Sequence, residues 1–183
     1  MSEGTVAPAD VVAFWRTAGG EKWFKRDEAF DREIHERFAA THAAAAAGTL
    51  AHWGKTAEGA LALVLVLDQF SRNLFRDTAE AFAQDAMATE AAGAALDAGF
   101  DREVEPDLGV FFHMPFMHSE AIADQERCIA LCHHFTGPES LKYACEHRDI
   151  IRRFGRFPHR NAVLGRHTSA AEQAFLDGGG FAG

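Results

Sequence analysis

No apolar run in this 183-residue chain is longer than the eight residues from Ala60 to Leu67. A bilayer-spanning helix needs roughly twenty, so no membrane span is expected. Cysteine is scarce. Cys128, Cys132 and Cys145 are an odd number without metal-finger spacing and read as reduced thiols packed in a core. The opening MSEGTVAPAD lacks the basic and apolar regions of a secretory signal, and a cytoplasmic protein is the resulting expectation. Gly-rich phosphate loops, Gly-x-Ser-x-Gly elbows and CxxC pairs are missing. Neither a cofactor nor a resident metal is expected.

β-Branched residues are also few, and apolar positions recur at intervals of three and four instead of two. With 48% hydrophobic residues the chain has enough apolar material for a core. The reading is all-α: one helical domain over residues 1–177 and a flexible Gly-rich tail over 178–183. About eight helical segments follow. Pro8–Thr17 carries Val11, Val12, Phe14 and Trp15, and Glu28–Ala47 carries Phe30, Ile34 and Phe38. Thr56 to about Arg72 is apolar on every side, as a central buried helix is. Asp77-Thr78-Ala79-Glu80 has capping-box spacing for a helix to about Ala98. A short element over Asp107–Phe112 follows, then a helix capped by Ser119 and running to about Phe135. Glu139–Phe154, a Pro158-initiated helix to Leu164, and Ser169–Leu176 complete the set.

A net charge of −9 argues against nucleic acid as partner. The charge is uneven, however. Between His147 and Arg166 stand six Arg against one Asp, a local balance of +5 that leaves about −14 on the remainder. Such an island suits a small anion or a peptide carboxylate better than a long polyanion.

Three constellations carry chemistry. Asp68 and Arg72, four apart at the end of the most apolar helix, are either a structural ion pair or part of a polar cavity with Arg76 at its edge. His118-Ser119-Glu120 places a His in a loop and Glu120 in the first helical turn. As a His-x-Glu pair it can serve as acid and base, or supply two metal ligands. Arg156-Phe157-Pro158-His159-Arg160-Asn161 is a helix stop followed by a helix start. There, free N–H groups and guanidiniums make an anion site or a rigid corner in which the arginines cap carbonyls and pair with Asp68 or Glu120. His147 falls on an apolar stripe with Tyr143, Ile150, Ile151 and Phe154, and reads as a core residue before a ligand.

The blocks LDQFSRNLFR (67–76), FHMPFMHSE (112–120) and FGRFPHRNAVLGR (154–166) resemble the signature blocks of DUF924, a bacterial family of unknown function. Ser71 stands where that family usually has Pro. The resemblance implies a tetratricopeptide-like stack of antiparallel helices and brings no assigned activity. Function therefore rests on the residues. The leading expectation is a helical binding protein whose polar pocket, lined by Asp68, Arg72, His118, Glu120, Arg156, His159, Arg160 and Asn161, takes a small anionic ligand or peptide carboxylate. A second reading is a hydrolase-type enzyme with His118, Glu120, Asp68 and His159 as acid–base candidates, which requires a perturbed carboxylate or imidazole. A third is a tetratricopeptide-like protein-interaction module.

Overall fold

The computed structural model describes residues 4–135 and 137–181. Their regular structure is helical, with no strand among the described residues. The described chain forms two compact units, one holding residues up to Arg76 with Glu80–Pro115, the other Asp77–Ala79 with the residues from Phe116 onward.

In the first unit, α1 (Pro8–Ala18) begins with Pro8 in its first turn and buries Val11, Val12, Phe14 and Trp15. After a single helical turn over Gly20–Trp23, the long helix α2 (Glu28–Ala46) is capped by Asp27, whose carboxylate accepts from Ala29 N and Phe30 N at 2.8 and 3.1 Å. Thr56 caps α3, which runs over Ala57–Val64, continues as a π-helical turn over Leu65–Phe70, and ends in Ser71–Leu74. Every residue from Gly59 to Ser71 is buried, as the apolar run Ala60–Leu67 predicts, and the burial extends to the polar Asp68, Gln69 and Ser71. Rings of Phe14, Trp15, Phe30, Phe38, Phe70 and Phe111 meet around it at centroid distances of 4.9–6.2 Å. Ser71 Oγ donates back to Leu67 O at 2.7 Å. The remaining lone pairs of that oxygen accept from His42 Nε2 at 2.8 Å.

The fourth helix, α4, spans Asp85–Asp97 and begins later than the capping-box spacing at Asp77 suggests. Asp77 has φ +64°, in the left-handed region and not the extended one an N-cap uses. Only a 3₁₀ turn, Ala79–Phe82, intervenes.

In the second unit α5 (Ile122–Phe135) and α6 (Pro138–Phe154) pack against each other, and α7 (Ala170–Asp177) follows. Ser119 does not open α5. Its hydroxyl donates to Asp124 Oδ2 at 2.6 Å and accepts from Ala121 N at 3.1 Å, which leaves Glu120 in the loop ahead of the helix. Pro158 starts only one 3₁₀ turn, Pro158–Arg160, followed by turns to Gly165. Ser169 and Glu172 do form a capping box at the start of α7. Within the segment read as a loose tail, Gly180 N donates to Phe175 O at 2.9 Å and Phe181 packs on the cluster around Ile150, Ile151 and Phe157. Residues 182 and 183 of that tail lie outside the described residues.

The tightest backbone approach in the first unit is at Gly59, where an added Cβ would enter the carbonyl of Trp53. Gly59→Ala is expected to lower unfolding stability by about 1–3 kcal/mol, the usual cost of overpacking against an atom that cannot give way. Gly54→Ala, which meets nothing within 4 Å, is expected to stay within about 0.5 kcal/mol of the parent. Urea unfolding of both variants checks this, and equal stabilities would remove the steric account.

Candidate functional site

Asp68 and Arg72 lie in the first unit and the other six sequence-level candidates in the second. At the end of the π turn, Asp68 has its carboxylate buried. It accepts from Gln69 Nε2 on Oδ2 and pairs with Arg72 at 3.0 Å on Oδ1. Arg72 also donates to the Asp68 carbonyl at 2.8 Å and reaches Asp85 Oδ1, at the start of α4, at 3.0 Å. One guanidinium thus ties the end of α3 to the beginning of α4. Nearby, Arg76 forks onto both oxygens of Asp31 at 2.8 Å, and Asn73 Nδ2 donates to Oδ1 of the same group. Paired and mostly screened from water, these charges act as helix ties.

The second unit assembles a different arrangement around Phe157. Glu120 accepts from Phe157 N at 2.8 Å and binds Arg166 bidentately at 2.7 and 3.0 Å. The anion expected at the free N–H groups of the Pro158 corner is therefore this protein's own carboxylate. Burial alone would raise the Glu120 carboxyl pKa. The Arg166 hydrogen bonds, the Phe157 N–H and the charges of Arg166 and Arg160 outweigh burial and hold it below the ordinary range. Arg156 is likewise committed, forking onto Glu172 at 2.6 and 2.9 Å and donating to His167 O at 2.7 Å. Glu172, only 3% exposed, is held far below its usual pKa by Arg156 first and by the Ser169 N–H next.

Arg160 is 6% exposed, donates to His118 O at 2.9 Å, and stacks its guanidinium 4.7 Å over the Phe157 ring. Fully buried Asn161 reaches Thr168 Oγ1 at 3.4 Å. His147, on the apolar face of α6, donates from Nδ1 to Tyr143 O at 2.8 Å, which leaves Nε2 as the acceptor of the neutral ring. Tyr143 itself is 46% exposed; the buried side of α6 runs through Ala144, His147, Ile150 and Ile151. His147 and His159 each contact both Phe157 and Phe181, with ring centroids 4.5–5.7 Å apart. The four rings therefore alternate, phenyl and imidazole, around one small circuit.

Burial lowers His147 to about 4, with His118 and Arg160 adding unfavourable charge. His159 is lowered to about 4 by burial, then by Arg160 and His147. His147, Arg166, Glu172 and Phe181 are the members that sequence reasoning left out of the site. Arg166 closes the FGRFPHRNAVLGR block, the one local signal that pointed to it. Elsewhere in this unit, Gln125 caps the turn before it through Phe116 O, Met117 O and Ser119 O. Cys128 and Cys132, buried with sulfurs 3.9 Å apart, belong to the core, and the thiol of Cys128 is pushed up by Cys132 and by burial. Among the described residues no three His, Cys, Asp or Glu side chains group so as to hold a metal ion.

The imidazoles make stability pH-dependent in one direction. In the unfolded chain they protonate near 6.5, in the folded one only near 4. Their effect is absent above about pH 6.5, grows as pH falls and levels off below about 4, because the unfolded state binds protons first. A loss of about 2–4 kcal/mol for the pair is expected between pH 7.5 and 4.5, allowing for partial screening of His159. The doubly substituted His147→Gln/His159→Gln protein should lose correspondingly less, by urea unfolding at the two pH values. An identical loss in both proteins would place the proton uptake elsewhere.

Two comparisons bear on kinship. The family model described as "Bacterial protein of unknown function (DUF924)" matches residues 11–180. A solved structure of a protein of unknown function, ATU0120 from Agrobacterium tumefaciens, is similar at 48% sequence identity and a TM-score of 0.90. That match covers 93% of this chain and 97% of the other. No curated protein matches. The chain belongs to the DUF924 family.

Proposed function

We propose that the second unit binds a small anionic ligand, a metabolite or peptide carboxylate, where Arg160 adjoins His147 and His159, with His118 and Asn161 beside them. The observation that carries this is electrostatic. Arg160 lies close enough to both imidazoles for its charge to act on each, and the imidazoles act on one another. Around His159 two guanidiniums, Arg160 and Arg166, act against one carboxylate, Glu120, and the net positive field of this largely buried corner is complementary to an anion. Both rings are neutral at pH 7; the N–H of His147 is taken by Tyr143 O, which leaves its Nε2 as an acceptor, while His159 offers one N–H donor and one acceptor. Glu120, Arg156 and Arg166 serve as the frame, and Asp68 and Arg72 as helix ties.

The perturbed carboxylate and imidazole that the acid–base reading requires are present in Glu120 and His159, but both are displaced away from neutrality. A catalyst working near neutrality is best served by a pKa near 7. His147 and His159 are shifted away from it, to about 4, and Glu120 is lowered. Binding is the reading these groups favour.

Sulfate is a suitable probe because it does not titrate between pH 7 and 4.5. An anion beside the imidazoles raises their pKa values, so by linkage it binds more tightly as they protonate. Calorimetric titration at constant ionic strength should show affinity rising several-fold from pH 7 to 4.5. Arg160→Gln should weaken binding about tenfold or more, the effect of losing a hydrogen bond to a charged partner. Affinity that is flat with pH, or unchanged in Arg160→Gln, would count against the site.

A further inference from the structure

The ring circuit has one member of a different kind. Phe157 is completely buried and forms the floor, while His147 projects from α6 and His159 from the turn after Pro158. The fourth ring, Phe181, comes from the segment after α7 and is only partly buried. Its centroid lies 4.5 Å from His147 and 5.3 Å from His159, with interplanar angles of 60° and 76°. These are the tilted and edge-on arrangements that aromatic pairs prefer.

The backbone leading to Phe181 is shaped to bring it there. Gly179 has φ +77°, which L side chains rarely adopt. A Cβ on Gly180 would lie 2.6 Å from the Phe175 ring and from the Phe175 carbonyl oxygen, so that position has no space for a side chain. The Gly180 N–H closes the turn on that carbonyl at 2.9 Å. Phe175 is fixed in turn by Phe154, 5.2 Å away on α6. Two glycines, one needed for its φ and one for lack of room, fold the chain back so that a phenyl ring seals the imidazole pair.

We infer that the seat between His147 and His159 is an aromatic-ring subsite of the anion site, that Phe181 fills it as a self-ligand, and that the ligand is an aryl carboxylate whose ring displaces Phe181. The inference rests on the anion reading for the charged half of the ligand and on the ring circuit for the aromatic half. Displacement leaves Phe157 as floor and the two imidazoles as walls, so the incoming ring makes the edge contacts that Phe181 gives up. Its carboxylate then enters the field of Arg160 and can accept from the N–H of His159, the His147 N–H being held by Tyr143 O. His147 and His159 line the seat; the charged or titratable groups that act on them are His118 and Arg160 on His147, and Arg160, Glu120 and Arg166 on His159.

The test is a titration at pH 7 of the full chain with phenylacetate, acetate and benzyl alcohol, read by calorimetry and by the histidine ring resonances in NMR. Phe181→Ala removes the self-ligand. Gly180→Ala keeps the phenyl ring but displaces the turn that delivers it. Phenylacetate should bind both variants about tenfold more tightly than the parent, because the competent state no longer has to be uncovered. It should shift the His147 and His159 resonances, and acetate affinity should be the same in all three proteins. Phenylacetate binding no better than acetate in the variants, or unchanged from parent to variants, would overturn the ring subsite while leaving the anion reading standing. Benzyl alcohol matching phenylacetate would keep the ring seat and overturn the carboxylate half. No binding of any probe to either variant would overturn both.

Discussion

A carboxylate brought out of water beside guanidiniums is stable only if both of its oxygens are satisfied, and in Glu120 both are. One oxygen takes the Phe157 N–H and both take the Arg166 fork, so a loop residue ahead of α5 is tied to a turn almost forty residues later. That tie sets the backbone at Phe157. Phe157 in turn supplies the ring on which Arg160 stacks and around which His147, His159 and Phe181 gather. Glu172 performs the same service one step further on. It caps α7 with one hand and holds Arg156 with the other, which keeps the helix that leads to Phe181 in place. The polar frame is built from ion pairs whose members are far apart in sequence, and the candidate ligand groups occupy the space it defines.

Much of the helical layout could be read from the chain because its signals are local. Val11, Val12, Phe14 and Trp15 face inward from α1, Ser169 and Glu172 cap α7, and His147 falls on the buried side of α6, all from spacing alone. The misreadings also have a common cause. Asp77, Ser119 and Pro158 each carry a residue type that starts helices, but a cap type is only permission. Asp77 is turned into the left-handed region, Ser119 is engaged with Asp124, and the chain after Arg160 leaves helix for turns. The pairing of Glu120 with Arg166 was beyond reach for a different reason. An ion pair across 46 residues leaves no periodic trace, and Arg156 and Arg160 were equally plausible partners by composition.

The two polar constellations differ in kind. In the first unit Asp68, Arg72, Asp85, Asp31 and Arg76 pair acid with base: Asp68 with Arg72 inside α3, Arg72 onward to Asp85 of α4, and Asp31 of α2 with Arg76 in the turn after α3. In the second unit neutral imidazoles and phenyl rings stand next to the ion pairs, which gives that corner hydrogen-bonding groups that do not have to be ionised to remain buried. Arginine alone did not distinguish the two. The difference lay with Arg160, which donates to a backbone carbonyl and stacks on Phe157, whereas Arg72, Arg76, Arg156 and Arg166 all bind carboxylates.

The π turn from Leu65 to Phe70 carries one further consequence. A helix that widens for one turn has taken in an extra residue without breaking, and everything after it is rotated by about 100° relative to an unbroken α-helix. Arg72, Asn73 and Arg76 all lie after the widening, and all three meet partners on other helices. The widened turn therefore acts as a phase adjuster. Shortening it by one residue would leave α3 as apolar and as helical as before, yet aim all three side chains away from Asp85 and Asp31 together.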